Sequence, residues 1–360
     1  MKSPKIYLFR VDAGSQVGFG HLSRCLAIAE ELAKRQWVPV FVVRDFTRGR
    51  VKALLRDQKW MSYFVPLKFN LLEDAQLTIA IANRYKAKGI LVDLNHSLFL
   101  RNISKVKAYL AYLKTFVGNL MVIDGGTPAD CLAAKIKFSA DAVFVPYFGS
   151  KKGKYQDNGS ARFFLGPRYF IFKESFRKWA EKSKEISVTA RNILVTIGGS
   201  DTRGLCQKVC LALKGISDPL KIKIVLGLGF RPSVEKQILK IFLGGIHSVR
   251  IVKNASNMAQ LLYQADIAIV GGGLTKYEAA IVGTPMICLI DRKVRHFFKD
   301  NAQLRQLGMF VEPSVTTVRN AVRTLMADRL RRQQFSESGK SALDAKGTQR
   351  TADLLEKGFR

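Results

Sequence analysis

The chain has 360 residues, 48% of them hydrophobic and 10% aromatic. That is more than one hydrophobic core usually organises and too apolar for a disordered or collagen-like chain, so two domains are expected. Lysine and arginine number 59 against 28 aspartates and glutamates, a formal net charge of +31 that bears on partners and not on fold.

Five cysteines (Cys25, Cys131, Cys206, Cys210, Cys288) form no CxxC pair, which argues against a disulfide framework or a zinc site and fits a reducing cytoplasm. The opening MKSPKIYLFRVDAG is basic, but Arg10 and Asp12 break its apolar stretch too early for a signal peptide. No window approaches the roughly 18 uninterrupted apolar residues of a membrane span.

KIYLFRVD, residues 5–12, reads as a strand leading through a glycine-rich turn into HLSRCLAIAEELAKR, where Leu22, Leu26, Ala29 and Leu32 or Ala33 share one helical face. Apolar runs at 38–43, 89–92, 120–123 and 142–145 are spaced for crossover helices and predict a parallel, doubly wound sheet. The polar stretch GSKKGKYQDN and the charged RKWAEKSKEISVTAR interrupt that rhythm. Runs at 192–197, 221–226, 249–252, 267–270 and 286–289 then resume it. The expected division is a first domain over 1–175, a linker over 176–188, a second domain over 189–340 and a C-terminal helix over 341–360. Two open α/β domains of this kind place a ligand in a cleft, beside the carboxyl ends of their strands.

Three stretches carry chemistry. In RVDAGSQVGFGHLSRCLAIAEEL, Gly14, Gly18 and Gly20 let main-chain amides approach a ligand, and the following helix points its positive end there. His21 at that helix start is expected to stay neutral at pH 7 and to serve as general base; the bland alternative is a histidine that only caps the loop. Asp12 either positions this loop or the sugar, or caps the turn. The order GxxxGxG departs from a dinucleotide fingerprint.

In ILVTIGGSDTRGLCQKV, Gly198, Gly199 and Ser200 stand where amides can meet a phosphate, with Asp201 or Thr202 as helix cap; a tight turn needed only for chain reversal is the alternative. In NMAQLLYQADIAIVGGGLTKYEAAIVGTPMICL, a strand over 267–270 leads to Gly271, Gly272 and Gly273, which expose amides; Leu274 precedes the helix, and Thr275 offers a hydroxyl. Glu278, one turn in, can accept both hydroxyls of a ribose.

These stretches, with LGPRYFIFKESF and DAKGTQRTADLL, resemble in this order the UDP-2,4-diacetamido-2,4,6-trideoxy-altropyranose hydrolases of pseudaminic acid biosynthesis and the related spore-coat polysaccharide proteins, predicted glycosyltransferases. The second half also resembles the C-terminal domain of the transferase that makes peptidoglycan lipid II. The resemblance spans nearly the whole chain. It implies the GT-B architecture, two Rossmann-like domains with the nucleotide held mainly by the second. His21 then matches the catalytic histidine, Gly20 its neighbour, and Arg24 the arginine of a GHxxR turn. Gly198, Gly199 and Asp201 match the phosphate-side turn, and Gly272, Gly273, Thr275 and Glu278 the nucleotide loop and ribose acceptor. In VDLNH, Asn95 replaces the family's tyrosine and His96 follows, while His296 and Phe297 replace an Asn-Gln pair. These departures, with Gly18, Gly20 and Arg24, fall on the sugar or acceptor side.

The implied chemistry is displacement at an anomeric carbon with UDP leaving, by water in a hydrolase of surface-polysaccharide or nonulosonate biosynthesis, or by a sugar or lipid-linked acceptor in a glycosyltransferase. No metal or cofactor is expected: the chain has no DxD, and His21, His96, His247 and His296 show no ligand spacing. The positive charge, with clusters at Lys151, Lys152 and Lys154 and at Arg329, Arg331 and Arg332, has three readings: solvated helix faces, an anionic membrane surface at the cytoplasmic side, or nucleic acid, for which no motif is present.

Overall fold

The computed structural model describes residues 4–14, 17–93, 103–125, 132, 137, 139–150, 161–201, 203–290 and 301–358. The chain forms two compact units, one of Met1–Lys173 with Lys346–Arg360, the other of Glu174–Ala345.

The first unit runs β1 (Lys5–Gly14), α1 (Gly20–Lys34), β2 (Trp37–Phe46), α2 (Arg50–Asp57), β3 (Met61–Phe64), α3 (Leu71–Arg84), β4 (Gly89–Asp93), α4 (Ile103–Phe116), β5 (Leu120–Ile123), β6 (Ala142–Val145) and β7 (Arg162–Leu165). Its seven strands lie in the order β3-β2-β1-β4-β5-β6-β7, and every pairing is parallel. After Lys5, β1 is buried throughout, as a central parallel strand with both faces covered must be. Phe9, Val11 and Ala13 join Leu22, Cys25 and Leu26 of α1 in one core cluster. Helix α3 starts at a capping box in which Asn70 accepts from Leu72 and Glu73 and the Glu73 carboxylate accepts from the Asn70 amide. The strand order reverses between β1 and β4, and such a reversal opens a crevice at the carboxyl ends of the two strands.

The second unit runs α5 (Glu174–Ala180), β8 (Asn192–Thr196), α6 (Leu205–Lys214), β9 (Lys221–Leu226), α7 (Ser233–Phe242), β10 (Ser248–Lys253), α8 (Met258–Gln264), β11 (Ile267–Gly271), α9 (Thr275–Ile281), β12 (Met286–Leu289), α10 (Ala302–Arg305), β13 (Gly308–Val311), α11 (Val315–Ala327) and α12 (Arg329–Ala342). Its six strands lie in the order β10-β9-β8-β11-β12-β13, with the reversal between β8 and β11. These pairings are all parallel as well.

The last helix, α13 (Gly347–Lys357), returns to the first unit. Thr348 accepts from the Phe172 amide at 2.9 Å and donates to its carbonyl at 2.7 Å. Arg35 reaches Asp353 at 2.6 Å, and Trp37 donates to Glu356 at 3.1 Å. A Cβ on Gly347 would lie 2.1 Å from the Phe170 carbonyl oxygen, so only glycine permits this approach.

The expected linker over 176–188 is instead packed within the second unit. Phe176 is buried, the Trp179 and Tyr263 rings lie 4.7 Å apart, and Lys184 donates to the Ala265 carbonyl at 3.0 Å. Among the described residues no helix is long and apolar enough to cross a membrane.

Candidate active site

In the first unit the carboxyl ends of β1 and β4 bring together residues far apart in the chain. After β1, Gly14 and Gly18 close a small turn through two backbone hydrogen bonds, Gly18 N to Gly14 O at 2.7 Å and Gly14 N to Gly18 O at 3.1 Å. Both glycines have positive φ, +142° and +82°. At Gly14 a Cβ would meet Phe46 at 2.6 Å, so the turn tolerates no side chain there. The turn delivers Gly20 as the first residue of α1, with His21 on the helix's first turn and Arg24 at the start of the second.

His21 Nδ1 lies 2.6 Å from Oδ1 of Asp93, the last residue of β4. Arg24 holds the same carboxylate through Nε to Oδ2 and through Nη2 to Oδ1, the latter at 2.5 Å, and gives Nη1 to the Tyr147 hydroxyl. Burial alone pushes the Asp93 carboxyl up, but the Arg24 guanidinium and His21, by charge and hydrogen bonds, overcome it and hold the group well below the usual carboxylate range. Asp93 is therefore ionised and can only accept. A hydrogen bond to an ionised carboxylate needs the proton on Nδ1, which also lies 3.0 Å from Arg24 Nη2; the neutral tautomer selected by that bond carries its lone pair on Nε2. The His21 side chain keeps 17% exposure while Asp93 is buried, so the ring is anchored through Nδ1 and remains partly open to solvent.

This arrangement relocates two expected residues. Arg24, expected on the sugar side, is buried, and its guanidinium is occupied by Asp93 and Tyr147. Asp12, expected to assist His21, points to the other face of the sheet. It shares that face with Arg10, its partner two residues before, because successive side chains of a strand alternate. Arg10 donates to Asp74 at 2.8 and 2.5 Å, Arg44 reaches Asp74 at 2.8 Å, and the Tyr109 hydroxyl donates to it at 3.1 Å. Asp12 is thus part of a buried charge network, and its Oδ2 has no hydrogen-bond partner among the described residues. Asp93, which holds both His21 and Arg24, belongs to none of the glycine motifs. The available signal was a carboxylate ending the otherwise apolar strand GILVD.

In the second unit the carboxyl ends of β8 and β11 carry the two glycine loops side by side: a Cβ on Gly271 would lie 2.7 Å from the Ile197 carbonyl oxygen. Gly198 has φ +107°, and Gly199 accepts from Gly229 at 2.8 Å. Ser200 is half-buried. Asp201 spends both carboxylate oxygens on the amides of Leu205 and Cys206, at 2.8 and 2.7 Å. Gly204 is the N-cap residue of α6, and Asp201 takes up the helix's first two amides from three residues before it, close to the capping role expected beside phosphate contact; that bonding leaves its carboxylate turned to the helix.

After β11, Gly273 is exposed, and Gly272, Leu274, Thr275 and Glu278 are partly exposed. Lys276, unremarked in the motif reading, is only 1% exposed and donates to the carbonyls of Gly272 at 2.7 Å and Gly273 at 2.8 Å. Burial pushes its ammonium down to about 8, with Cys288 opposing, and pushes the Cys288 thiol up to about 12, with Lys276 opposing. Asn95 and His96, His296 and Phe297, Thr202, and the cluster Lys151, Lys152 and Lys154 lie outside the described residues. Among the described residues no three histidines, cysteines or carboxylates gather in a metal-binding group.

No protein-family model matches this chain. It is 26% identical over 353 residues to the spore coat polysaccharide biosynthesis protein SpsG of Bacillus subtilis, covering 96% of each chain. The crystal structure of Acinetobacter baumannii MurG superposes with a TM-score of 0.67 at 17% identity, over 98% of this chain and 100% of that one. The UDP-GlcNAc 2-epimerase of Neisseria meningitidis, solved bound to UDP-GlcNAc, gives 0.64 at 13% identity, over 98% and 100%. The fold is accordingly the two-domain α/β architecture of GT-B glycosyltransferases and related epimerases.

Proposed function

We propose that the protein is an enzyme of nucleotide-sugar metabolism that displaces UDP from the anomeric carbon of a UDP-sugar, with water as the attacking group and a UDP-amino-sugar as substrate. The observation that carries this is the His21–Asp93 pair, seated at the strand-order reversal of the first unit with Nε2 left as a proton acceptor. The attacking O–H gives its proton to Nε2 as its oxygen bonds to the anomeric carbon. The bond from that carbon to the diphosphate oxygen breaks, and UDP departs with the electron pair. Asp93 stabilises the imidazolium so formed, and Arg24 and Tyr147 fix Asp93.

The second unit supplies the nucleotide site. Amides of the loops at Gly198–Gly199 and Gly272–Thr275 meet the diphosphate and balance the charge that develops on it, and Glu278 accepts the ribose hydroxyls. Gly18, Gly20, Asn95 and His296 are assigned to the sugar side. The proposed steps call on no metal or cofactor. Support comes from the family resemblance in the glycine loops, from a relative named for polysaccharide biosynthesis, and from an epimerase of the same fold that holds a UDP-sugar.

Transfer to a sugar or lipid-linked acceptor uses the same base and the same leaving group, and the basic surface, which suits an anionic membrane, favours it as the second reading. Incubation with UDP-sugars, with and without candidate acceptors, separates the two through UDP release. Release without acceptor establishes hydrolysis, and acceptor dependence establishes transfer. If UDP is neither released nor bound, the proposal is wrong.

A further inference from the structure

Lys276 sits in an unusual place for a lysine. It lies on the first turn of α9, and its ammonium turns back under the loop that precedes the helix. There it bridges the Gly272 and Gly273 carbonyls at 2.7 and 2.8 Å, with the face of Tyr277 4.5 Å away. Long cationic side chains are almost never this deeply buried unless their donors are taken up, because desolvation of the charge is costly. Here two main-chain oxygens of one loop take them up.

The consequence follows from peptide geometry. The chain has no cis peptide bonds among the described residues, and in a trans peptide the C=O and the N–H of the same unit point in opposite directions. The Gly272 carbonyl shares its peptide with the Gly273 N–H, and the Gly273 carbonyl shares its peptide with the Leu274 N–H. With both carbonyls drawn inward to one ammonium, both N–H groups are turned outward, where Gly273 is exposed and Leu274 partly so. The helix's own bonding begins later, with Tyr277 and Glu278 donating to the Leu274 carbonyl. Each outward N–H belongs to a peptide whose oxygen is already bonded to a cation, which polarises it and makes it a stronger donor.

We propose that Lys276 is the positioning residue for diphosphate binding: it locks the Gly272–Gly273–Leu274 backbone so that two adjacent amides face an anion, and it places a positive charge behind them. An oxygen accepting from those amides would stand roughly 7 Å from the ammonium, close enough for attraction through a low-dielectric interior. Lys276 is buried beneath the loop and donates to its peptide oxygens, so its contribution runs through the loop. The proposal rests on the nucleotide site described above and deepens it, since it separates the diphosphate from the nucleoside in what each part of the loop recognises.

The test compares UDP, measured by calorimetry, with uridine, measured by NMR titration. Two variants are used, each checked for folding by circular dichroism and thermal melting. Lys276→Met keeps the side-chain length and removes the charge and both donors. Leu274→Pro removes one outward N–H; proline suits this position, where φ is −67° at the entry to the helix. Each variant is expected to lose about 10- to 100-fold in UDP affinity while its uridine affinity stays within about threefold of the parent's. Unchanged UDP affinity in either folded variant overturns the proposal, and so does an equal loss of UDP and uridine, which would make the lysine a general support of the fold. Should Lys276→Met fail to fold, Leu274→Pro decides by the same criteria. A parent protein that binds neither ligand refutes the nucleotide site itself, an outcome distinct from failure of the lysine's role.

Discussion

His21 and Asp93 are 72 positions apart in the chain, yet their side chains meet at 2.6 Å, because β1 and β4 are neighbours and each delivers one of them at its carboxyl end. The carboxylate orients the ring, fixes which nitrogen is bare and stabilises the cation formed on proton uptake. On the proposed function, which assigns the nucleotide contacts to the second unit, His21→Ala is expected to abolish UDP release while leaving UDP affinity within about threefold. Asp93→Asn is expected to lower kcat about 100- to 10,000-fold with little change in affinity, because the amide lacks the charge and sets an NH2 donor against one of the Arg24 or His21 donors. Steady-state kinetics with UDP binding measured separately checks both. A large loss of affinity in His21→Ala would place the ring on the nucleotide instead of the attacking oxygen.

Glu278 and Lys276 lie two positions apart on α9, and the proposed function assigns them different parts of the ligand. Glu278→Ala should weaken uridine and UDP alike, by about tenfold or more, because two charge-assisted hydrogen bonds to the ribose are lost. Lys276→Met should spare uridine. Titration of both ligands against both variants gives a two-by-two pattern, and a Glu278→Ala protein that loses UDP but keeps uridine would remove the ribose from Glu278.

The buried carboxylates tie stability to pH. Asp93 is held below its ordinary range against the pull of burial, chiefly by Arg24, and Asp74 is likewise lowered by Arg10 and Arg44 against burial. A carboxyl with a depressed folded-state pKa binds protons more readily in the unfolded chain. Its stabilisation is complete above the unfolded value of about 4 and is lost as pH falls toward the lower folded value. At pH 7, Asp93→Asn should be less stable than the parent by about 3 kcal/mol or more, since it leaves the Arg24 guanidinium buried without its counter-charge. That gap should narrow as pH falls below about 4. Denaturant midpoints from pH 7 downward measure it, and a gap that stays constant through the acid range would contradict the assignment.

The sheets were legible in the sequence wherever strands are central. Apolar runs such as those of β1, β4, β5, β8 and β11 are buried on both faces and read without alternation. Three strands lie outside the predicted runs, β3, β7 and β13; all are sheet edges of four residues with mainly half-buried positions, without the burial on both faces that marks a central strand. The glycine loops were legible because backbone conformation demands their residues. What the sequence could not show depends on pairing between distant segments. Asp12 was set beside His21 by nearness in the chain, but strand alternation sends it to the opposite face with Arg10. Asp93 meets His21 and Arg24 only because β1 and β4 are neighbours, and the return of α13 to the first unit rests on contacts made by Arg35, Trp37 and Phe172, far back in the chain.

Asp201 separates a structural role from a ligand role at a position where the motif suggested both. Its two oxygens accept from the Leu205 and Cys206 amides, so its removal leaves the first turn of α6 without its side-chain acceptor. Asp201→Ala is expected to destabilise the second unit by about 1–2 kcal/mol. Asp201→Ser, which keeps one acceptor, should recover part of that. UDP affinity, measured well below the melting temperature of each variant, should change less than about threefold, because the carboxylate is committed to the helix and would repel a diphosphate at close range. Thermal melts read the first effect and calorimetry the second. A variant that keeps the parent's melting temperature yet loses UDP would reverse the assignment, making Asp201 a ligand contact and leaving the cap to other groups.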